Sequence, residues 1–398
     1  MLRSTQRLTT TTNRLQTRAS PLKPILVGAG VVGTAIFGAH IDAGVDAVLA
    51  DVDGDRLIAA KRLLDQRSVP HEPYDIGLPN LQAIRSRLND GDFGGPAIII
   101  ESIAEKLALK QAFFQEAERA FGPDAVFCSN TSTLQISDIA AALGTSNRLC
   151  GMHFFMPVNA RSAVEIISHE STDSSVTDVC QQHAARIRKQ PLLVQDSPGF
   201  IVNRLLSPYL NQSLLLLAHG VDHKQIERAS RAYGMPLSPL ELIDWIGTRT
   251  MFDAGRVFWQ SFPGRIDPSP IVPALIKRKR LGRTLGGGLY DYDGQQRSMD
   301  LSSVTKQLVE MYALELLNLS DDDVVNLLAI PMWIESKHVL AQKVAGSESD
   351  INLAMQGGLG YQGDQPWSDF FRAMGDQKIN QQSEQWSAKF KSMRQALQ

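Results

Sequence analysis

The chain has only three cysteines, Cys128, Cys150 and Cys180, and their spacing is neither that of a disulfide framework nor that of a metal site. Buried reduced thiols in a reducing compartment are expected, with no metal. No apolar run approaches the roughly 20 residues that span a bilayer, and residues 214–218 read as a short piece of an amphipathic helix. A membrane span is not expected. Excess charge is lacking too: a formal net charge of −2 gives no general reason to expect nucleic acid as a partner. Acidic residues are missing from the first stretch, where Arg3, Arg7, Arg14 and Arg18 stand among threonines and no Asp or Glu precedes Asp42. Residues 1–20 therefore read as a disordered tail, with an organelle transit peptide as the alternative. The matching locations are the cytoplasm and, for the alternative, the mitochondrial matrix.

What is present suffices for two or three packed domains: 398 residues, 43% hydrophobic and 21% charged. The short apolar run Ile25-Leu26-Val27 leads into Gly28-Ala29-Gly30-Val31-Val32-Gly33, and residues 31–43 then alternate apolar and small residues at helical spacing. This is a tight strand-to-helix turn. Gly28 permits the turn, Gly30 lets the backbone approach a pyrophosphate, and Gly33 allows close packing of helix on strand, with the phosphates at the positive helix end. A second strand, Ala47-Val48-Leu49-Ala50, ends in Asp51, where the adenosine ribose hydroxyls would lie. Its charge repels a 2′-phosphate, so NAD is expected rather than NADP.

After a Pro- and Gly-bearing stretch at 70–95, Ala97-Ile98-Ile99-Ile100-Glu101 reads as another buried parallel strand, followed by a helix over 105–120 and the strand Ala125-Val126-Phe127-Cys128. The polar turn Ser129-Asn130-Thr131-Ser132-Thr133 then falls at the carboxyl end of the sheet, where ligands bind in such folds. Segments 148–155 and 163–168 are predicted to form a closing hairpin in which His153 and Glu165 face each other. A histidine oriented by a carboxylate can take a proton from an alcohol while hydride leaves the same carbon. A satisfied buried histidine beside an unrelated acid is the structural alternative. Ser132 and Asn203 could bind the substrate oxygen, or could merely stabilise a turn and start a helix. Ser197-Pro198 predicts the start of a long helix that runs to Gly220 and puts Asn203 near its beginning. The basic run Lys277-Arg278-Lys279-Arg280 reads as a solvated face at a helix end.

These residues resemble the L-3-hydroxyacyl-CoA dehydrogenase family over roughly residues 22–295. The resemblance is carried by the 130–137 segment beginning Asn130-Thr131-Ser132, by His153-Phe154-Phe155 with Pro157, and by Ser197-Pro198-Gly199-Phe200-Ile201-Val202-Asn203-Arg204. It implies an NAD-dependent oxidation of a (3S)-3-hydroxyacyl-CoA to the 3-oxoacyl-CoA in fatty-acid β-oxidation. His153 would be the general base, Glu165 its partner, and Ser132 and Asn203 the contacts to the substrate oxygen. Glu105 and Lys110 resemble the family's cofactor-side residues, beside Gly28, Gly30, Gly33 and Asp51. Met156, Ser238, Thr284 and Gly287 depart from the usual pattern, and none belongs to the proton-transfer set.

The remainder carries an internal repeat. Val202-Asn203-Arg204-Leu205-Leu206-Ser207-Pro208 is echoed by Val325-Asn326-Leu327-Leu328-Ala329-Ile330-Pro331, Ile226 and Ala229 by Ile351 and Ala354, and the turn at Gly234 by 357–363. The expected architecture is an α/β Rossmann-type nucleotide domain (21–196) followed by an all-α C-terminal region made of two related helical modules (197–297 and 298–398). The arrangement is similar to the dehydrogenase half of the fatty-acid oxidation multienzyme alpha subunit. It implies a monomeric pseudo-dimer with one active site, a structural role for Asn326, and a possible hydratase or thiolase partner. A β-hydroxyacid dehydrogenase of the 6-phosphogluconate type would need a lysine base close to Asn203, which is missing. A crystallin-like relative without activity would be free to lose the Ser132, His153, Glu165 and Asn203 set, which is intact.

Overall fold

The computed structural model describes residues 23–65, 75–76, 81, 97–122 and 125–395. Residues 1–20, most of the 70–95 stretch and the last three residues lie outside them. The nucleotide domain runs β1 (Lys23–Val27), α1 (Val31–Asp42), β2 (Val48–Ala50), α2 (Gly54–Asp65), β3 (Asp75–Ile76), β4 (Ala97–Glu101), α3 (Leu107–Phe121), β5 (Val126–Ser129) and α4 (Ile136–Ala140). It closes with β6 (Leu149–Phe154), β7 (Ala163–Ser168), α5 (Ser174–Arg186) and β8 (Gln190–Gln195). All eight strands join one sheet in the order β3-β2-β1-β4-β5-β6-β7-β8. Every pair is parallel except β6 with β7. The order reverses at β1, which lies between β2 and β4, and this reversal opens the crevice at the strands' carboxyl ends.

Each face of the sheet carries its own cover. Ile36 and Phe37 of α1 and Val176 and Cys180 of α5 pack on one side. On the other, Phe114 and Ala117 of α3 belong to a core that continues without interruption into the helical region. The three cysteines gather in the first layer, with Cys128 and Cys180 Sγ atoms 3.5 Å apart and Cys150 beside them. All are buried and free.

The helical region comprises α6 (Val202–Ala218), α7 (His223–Ala232), α8 (Pro239–Ile246), α9 (Thr248–Ser261) and α10 (Ile271–Lys277). A hairpin of β9 (Tyr290–Asp293) and β10 (Gln296–Leu301) then leads to α11 (Ser303–Met311), α12 (Asp321–Ala341), α13 (Glu348–Leu353), α14 (Trp367–Met374) and α15 (Asp376–Trp386). A division at 297/298 falls inside β10.

Two sequence expectations about α6 are corrected. Gly199 and Phe200 adopt φ of +78° and +53°, so the chain turns once more after Ser197-Pro198 and enters the helix at Val202. Residues 214–218 are not amphipathic either: every residue of α6 except Asn203 is buried, because the nucleotide domain, α8, α9 and α12 surround it. A helix apolar on all sides is a core helix.

Charge inside this core is matched. Arg204 of α6 donates from Nε to Glu335 Oε1 of α12 at 2.7 Å and from Nη1 to Gln342 Oε1 at 2.7 Å. Arg265 adds bonds to both Glu335 oxygens at 2.9 and 3.0 Å. The basic run near α10 is likewise only partly a solvated face, since Arg280 turns inward to the carbonyls of Gly288 and Tyr290 and to Asp291.

A second buried pair makes the fold pH-sensitive. His40 of α1 and His183 of α5 place their Nε2 atoms 2.9 Å apart, and both are almost fully buried. Burial lowers His40 to about 4 against a hydrogen bond to the Ile36 carbonyl that raises it, and burial pushes His183 well down, with the charge of His40 adding to the effect on His183 and Arg186 adding to both. A histidine depressed in the fold binds protons more readily when unfolded. Its stabilisation is therefore complete above pH 6.5 and is lost as pH falls toward about 4. For His40 alone this amounts to about 3 kcal/mol. Urea unfolding across that window should show stability falling with acidification, and His40→Leu with His183→Leu should flatten the slope. An equally steep slope in the double variant would contradict the assignment.

Candidate active site

The turn after β1 is built as tightly as its glycines suggest. Gly28 has φ +109°, and a Cβ there would lie 2.4 Å from the Ser102 carbonyl oxygen. A Cβ on Gly33 would meet the Gly28 oxygen at 1.8 Å, whereas nothing stands within 4 Å of the same position on Gly30. Gly30 is thus the open member, facing a cavity of about 690 Å³ that Asp51 also lines. Asp51 accepts from the Ala29 N–H at 2.7 Å and the Asp53 N–H at 2.9 Å, which ties the end of β2 to the glycine turn. Arg56, which motif reading passed over, lines the same cavity and pairs with Asp53 at 3.3 Å.

Glu105 and Lys110 separate in space. Glu105 lines the cavity and organises the loop after β5, with its Oε1 accepting from the N–H groups of Ser132 and Thr133 at 3.0 Å and from the hydroxyls of Thr131 and Thr133. Burial alone would raise its pKa, but Lys110 and these bonds outweigh burial and hold the carboxyl below the usual range. Lys110 lies behind it, 1% exposed, with Nζ at 2.6 Å from Glu101 and 3.3 Å from Glu105. It is not among the residues lining the cavity of about 690 Å³ and reaches that side through Glu105. Glu101, fully buried at the end of β4, needs a cation.

The β6–β7 hairpin has the register that places His153 opposite Glu165. His153 Nδ1 lies 2.6 Å from Glu165 Oε2, and its Nε2 lies 3.1 Å from Ser132 Oγ. Glu165 Oε1 accepts from the N–H groups of Ile201 and Val202, both at 3.0 Å, at the beginning of α6. The histidine's tautomer follows from this arrangement: Nδ1 carries the proton shared with the carboxylate, and Nε2 presents a lone pair. Asn203 joins the group through Nδ2, which donates to the Ser132 carbonyl at 2.9 Å. Asn130 contributes unannounced, accepting from the Phe154 N–H at 2.8 Å and so fixing β6 to the β5 loop. Only its neighbours in the Asn-Thr-Ser run had suggested a role.

A second cavity, about 330 Å³, opens on this cluster and shares Val32, Asn130, Ser132, Thr133 and Thr250 with the nucleotide cavity. Its far walls are apolar, with Leu206, Leu210, Met235 and Trp245 among them. A hydroxyl at the junction would touch Nε2 of a histidine held by a buried carboxylate, next to an open glycine turn. Among the described residues no group of three or more His, Cys, Asp or Glu could hold a metal ion.

Comparison with known proteins gives the family. Residues 25–197 match the family described as "3-hydroxyacyl-CoA dehydrogenase, NAD binding domain", and residues 199–292 match "3-hydroxyacyl-CoA dehydrogenase, C-terminal domain". The chain belongs to the 3-hydroxyacyl-CoA dehydrogenase family. Its first domain is thus an NAD-binding domain of that family. It is 30% identical over 350 residues to the fatty acid oxidation complex subunit alpha of Pseudomonas aeruginosa, a match covering 84% of this chain and 48% of that protein. The chain thus spans about half the length of the curated relatives it matches. Its fold is similar to 3-hydroxybutyryl-CoA dehydrogenase from Escherichia coli K12, with TM-score 0.76, 22% identity and coverage of 92% and 94% of the two chains. (S)-3-hydroxybutyryl-CoA dehydrogenase from Ralstonia eutropha gives TM-score 0.60 and 26% identity, covering 69% of this chain and all 100% of that one.

Asp51 generates a prediction about the nucleotide. Its carboxylate, buried at the end of β2, should meet ribose hydroxyls and repel a 2′-phosphate, so kcat/KM with NAD should exceed that with NADP by at least about tenfold. Asp51→Ala should weaken NAD and narrow the ratio. Equal values for the two nucleotides in the unmodified chain would contradict the role.

Proposed function

We propose that the chain oxidises the 3-hydroxyl of a (3S)-3-hydroxyacyl-CoA to the ketone, as a step of fatty-acid β-oxidation in a cytoplasmic setting. The observation that carries this reading is the chain of contacts from Ser132 through His153 to Glu165 at the junction of a nucleotide cavity and an apolar one. NAD supplies the hydride acceptor when bound, against the open turn at Gly30 with Asp51 at its ribose end.

His153 Nε2 takes the hydroxyl proton, and Glu165, already bonded to Nδ1, stabilises the imidazolium that results. The two N–H groups at the start of α6 hold Glu165 in place. Ser132 Oγ shares the Nε2 position with the incoming hydroxyl and orients it. Asn203 acts one step back, through the Ser132 carbonyl, so its contribution is to hold the serine loop. Water is kept from the reacting oxygen by Phe155, whose ring meets His153 edge-on at 5.1 Å between centroids.

The helical modules form part of the same proposal. Pro208 in α6 and Pro331 in α12 fall at matching points of the repeat. Gly247 joins α8 to α9 at φ +89°, ψ +134°, and Gly375 joins α14 to α15 at φ +80°, ψ +145°. This equivalence supports two related modules packed as an intramolecular pair with one active site, and hence a monomer. The likeness to a multienzyme subunit favours a hydratase or thiolase as partner.

His153→Gln should lower kcat by about 10² to 10⁴ while leaving NAD affinity nearly unchanged, measured by NADH production from (3S)-3-hydroxyacyl-CoA and by nucleotide titration. A kcat within a few-fold of the unmodified enzyme would remove His153 from the role of base. Light scattering should find the full chain monomeric, and truncation after Leu301 should expose the apolar surface of the first module and cause dimerisation, aggregation or loss of stability. A full-length homodimer joined through that same face, or a truncated chain that stays monomeric and equally stable, would contradict the pseudo-dimer.

A further inference from the structure

The last helical region reaches the substrate cavity. Between α13 and the following loop, residues Ala354–Leu359 form a single π-helical turn, and Gly358 and Leu359 line the apolar cavity beside His153, Phe155 and Val202. This turn lies beyond residue 292, where the family match ends. Isolated π turns cost hydrogen-bond quality and are found most often where function requires a particular approach.

The approach is too close for a Cβ at 357 and tight for one at 358. A Cβ on Gly357 would lie 2.8 Å from the Ala163 Cβ and 3.1 Å from its backbone nitrogen, on the strand that carries Glu165. A Cβ on Gly358 would lie 3.0 Å from Val202 Cγ2 and 3.2 Å from Phe155 Cε2. Both of those neighbours are tied to the proton-transfer pair. The Val202 N–H donates to Glu165, and the Phe155 ring packs edge-on against His153. A side chain at 358 therefore makes Val202 or Phe155 give by a few tenths of an ångström, and these two residues contact Glu165 and His153.

We infer that the Ala354–Leu359 turn is a wall of the substrate pocket that sets the position of Phe155 against His153. Gly358 is a positioning residue, and Leu359, whose side chain forms the pocket surface next to it, helps determine which acyl groups fit. The inference rests on the 3-hydroxyacyl-CoA reading and deepens it, because it assigns the second module a part in the reaction rather than in packing alone.

The test uses the full chain with (3S)-3-hydroxyacyl-CoA substrates of short and medium acyl length. Gly358→Ala should lower kcat by about tenfold to a hundredfold with NAD affinity unchanged, as expected for a small displacement of a catalytic group. The acidic limb of its pH–rate profile should shift, which mere loss of stability would not produce. Adding Val202→Ala, which removes the Cγ2 that the new methyl meets and keeps the N–H bonded to Glu165, should recover much of the loss. Leu359→Ala, a milder change, should alter the ratio of kcat/KM between short and medium chains several-fold. The inference is overturned if Gly358→Ala keeps kcat and pH profile within twofold of the parent, or if it folds poorly and Leu359→Ala leaves the chain-length ratio unchanged. A parent chain that reduces NAD with none of the acyl-CoA substrates overturns the underlying reading and this inference with it, whereas an active parent with unresponsive variants overturns this inference alone.

Discussion

The carboxylate of Glu165 is the point on which the molecule turns. It is fully buried, and an ionised group in such a place is tolerable only when its lone pairs are all engaged. One oxygen serves His153 and the other serves two backbone N–H groups where α6 begins. The same charge therefore orients the imidazole, joins the closing hairpin of the sheet to the helical region, and fills a helix end whose amides would otherwise be unsatisfied. Domain placement and histidine orientation cannot be varied separately. The departure of Gly199 and Phe200 from ordinary backbone geometry follows from this, because the chain must swing the first amides of α6 toward a strand that lies behind it.

The nucleotide half was legible in the sequence because local pattern and tertiary role coincide there. Buried parallel strands such as residues 97–101 are apolar throughout, the glycine turn has one geometry that suits it, and the period of the hairpin sets His153 against Glu165. The places where the sequence misled are those in which distant groups decide. Residues 190–195 carry four consecutive non-polar residues, the first a proline, between two glutamines, with no alternation to mark a strand, yet they extend the sheet along β7 through Leu192 and Val194. The pairing of Lys110 with the buried Glu101, across nine positions, is likewise not marked by any local pattern. The helical pattern of 214–218 looked one-sided because periodicity reports only the strongest apolar face, and nothing local reveals that α12 covers the other.

Polar groups in the helical core show the same logic. Glu335 is surrounded by Arg204 and Arg265, and burial raises its pKa despite those two cations. Replacing such a cluster by apolar residues is often neutral or stabilising, so its value here lies in register. Arg204 can satisfy Glu335, Gln342 and the Ser197 hydroxyl together only when α6 and α12 cross at one position. That crossing also fixes where the chain after α12 returns to the sheet, beside residues 161–163 and Phe155.

The contact between Arg204 and Glu335 joins residues 131 positions apart. At ordinary synthesis rates the ribosome needs on the order of ten seconds to make the intervening chain. During that interval the nucleotide domain can complete its sheet, but α6 emerges with one apolar side bare and with a guanidinium that has no acid to meet. The side of α6 that α12 covers can be closed only after the chain as far as Glu335 has been made. Any slowing of synthesis between the two helices would lengthen that exposure in proportion, a cost set by sequence distance that the finished molecule no longer displays.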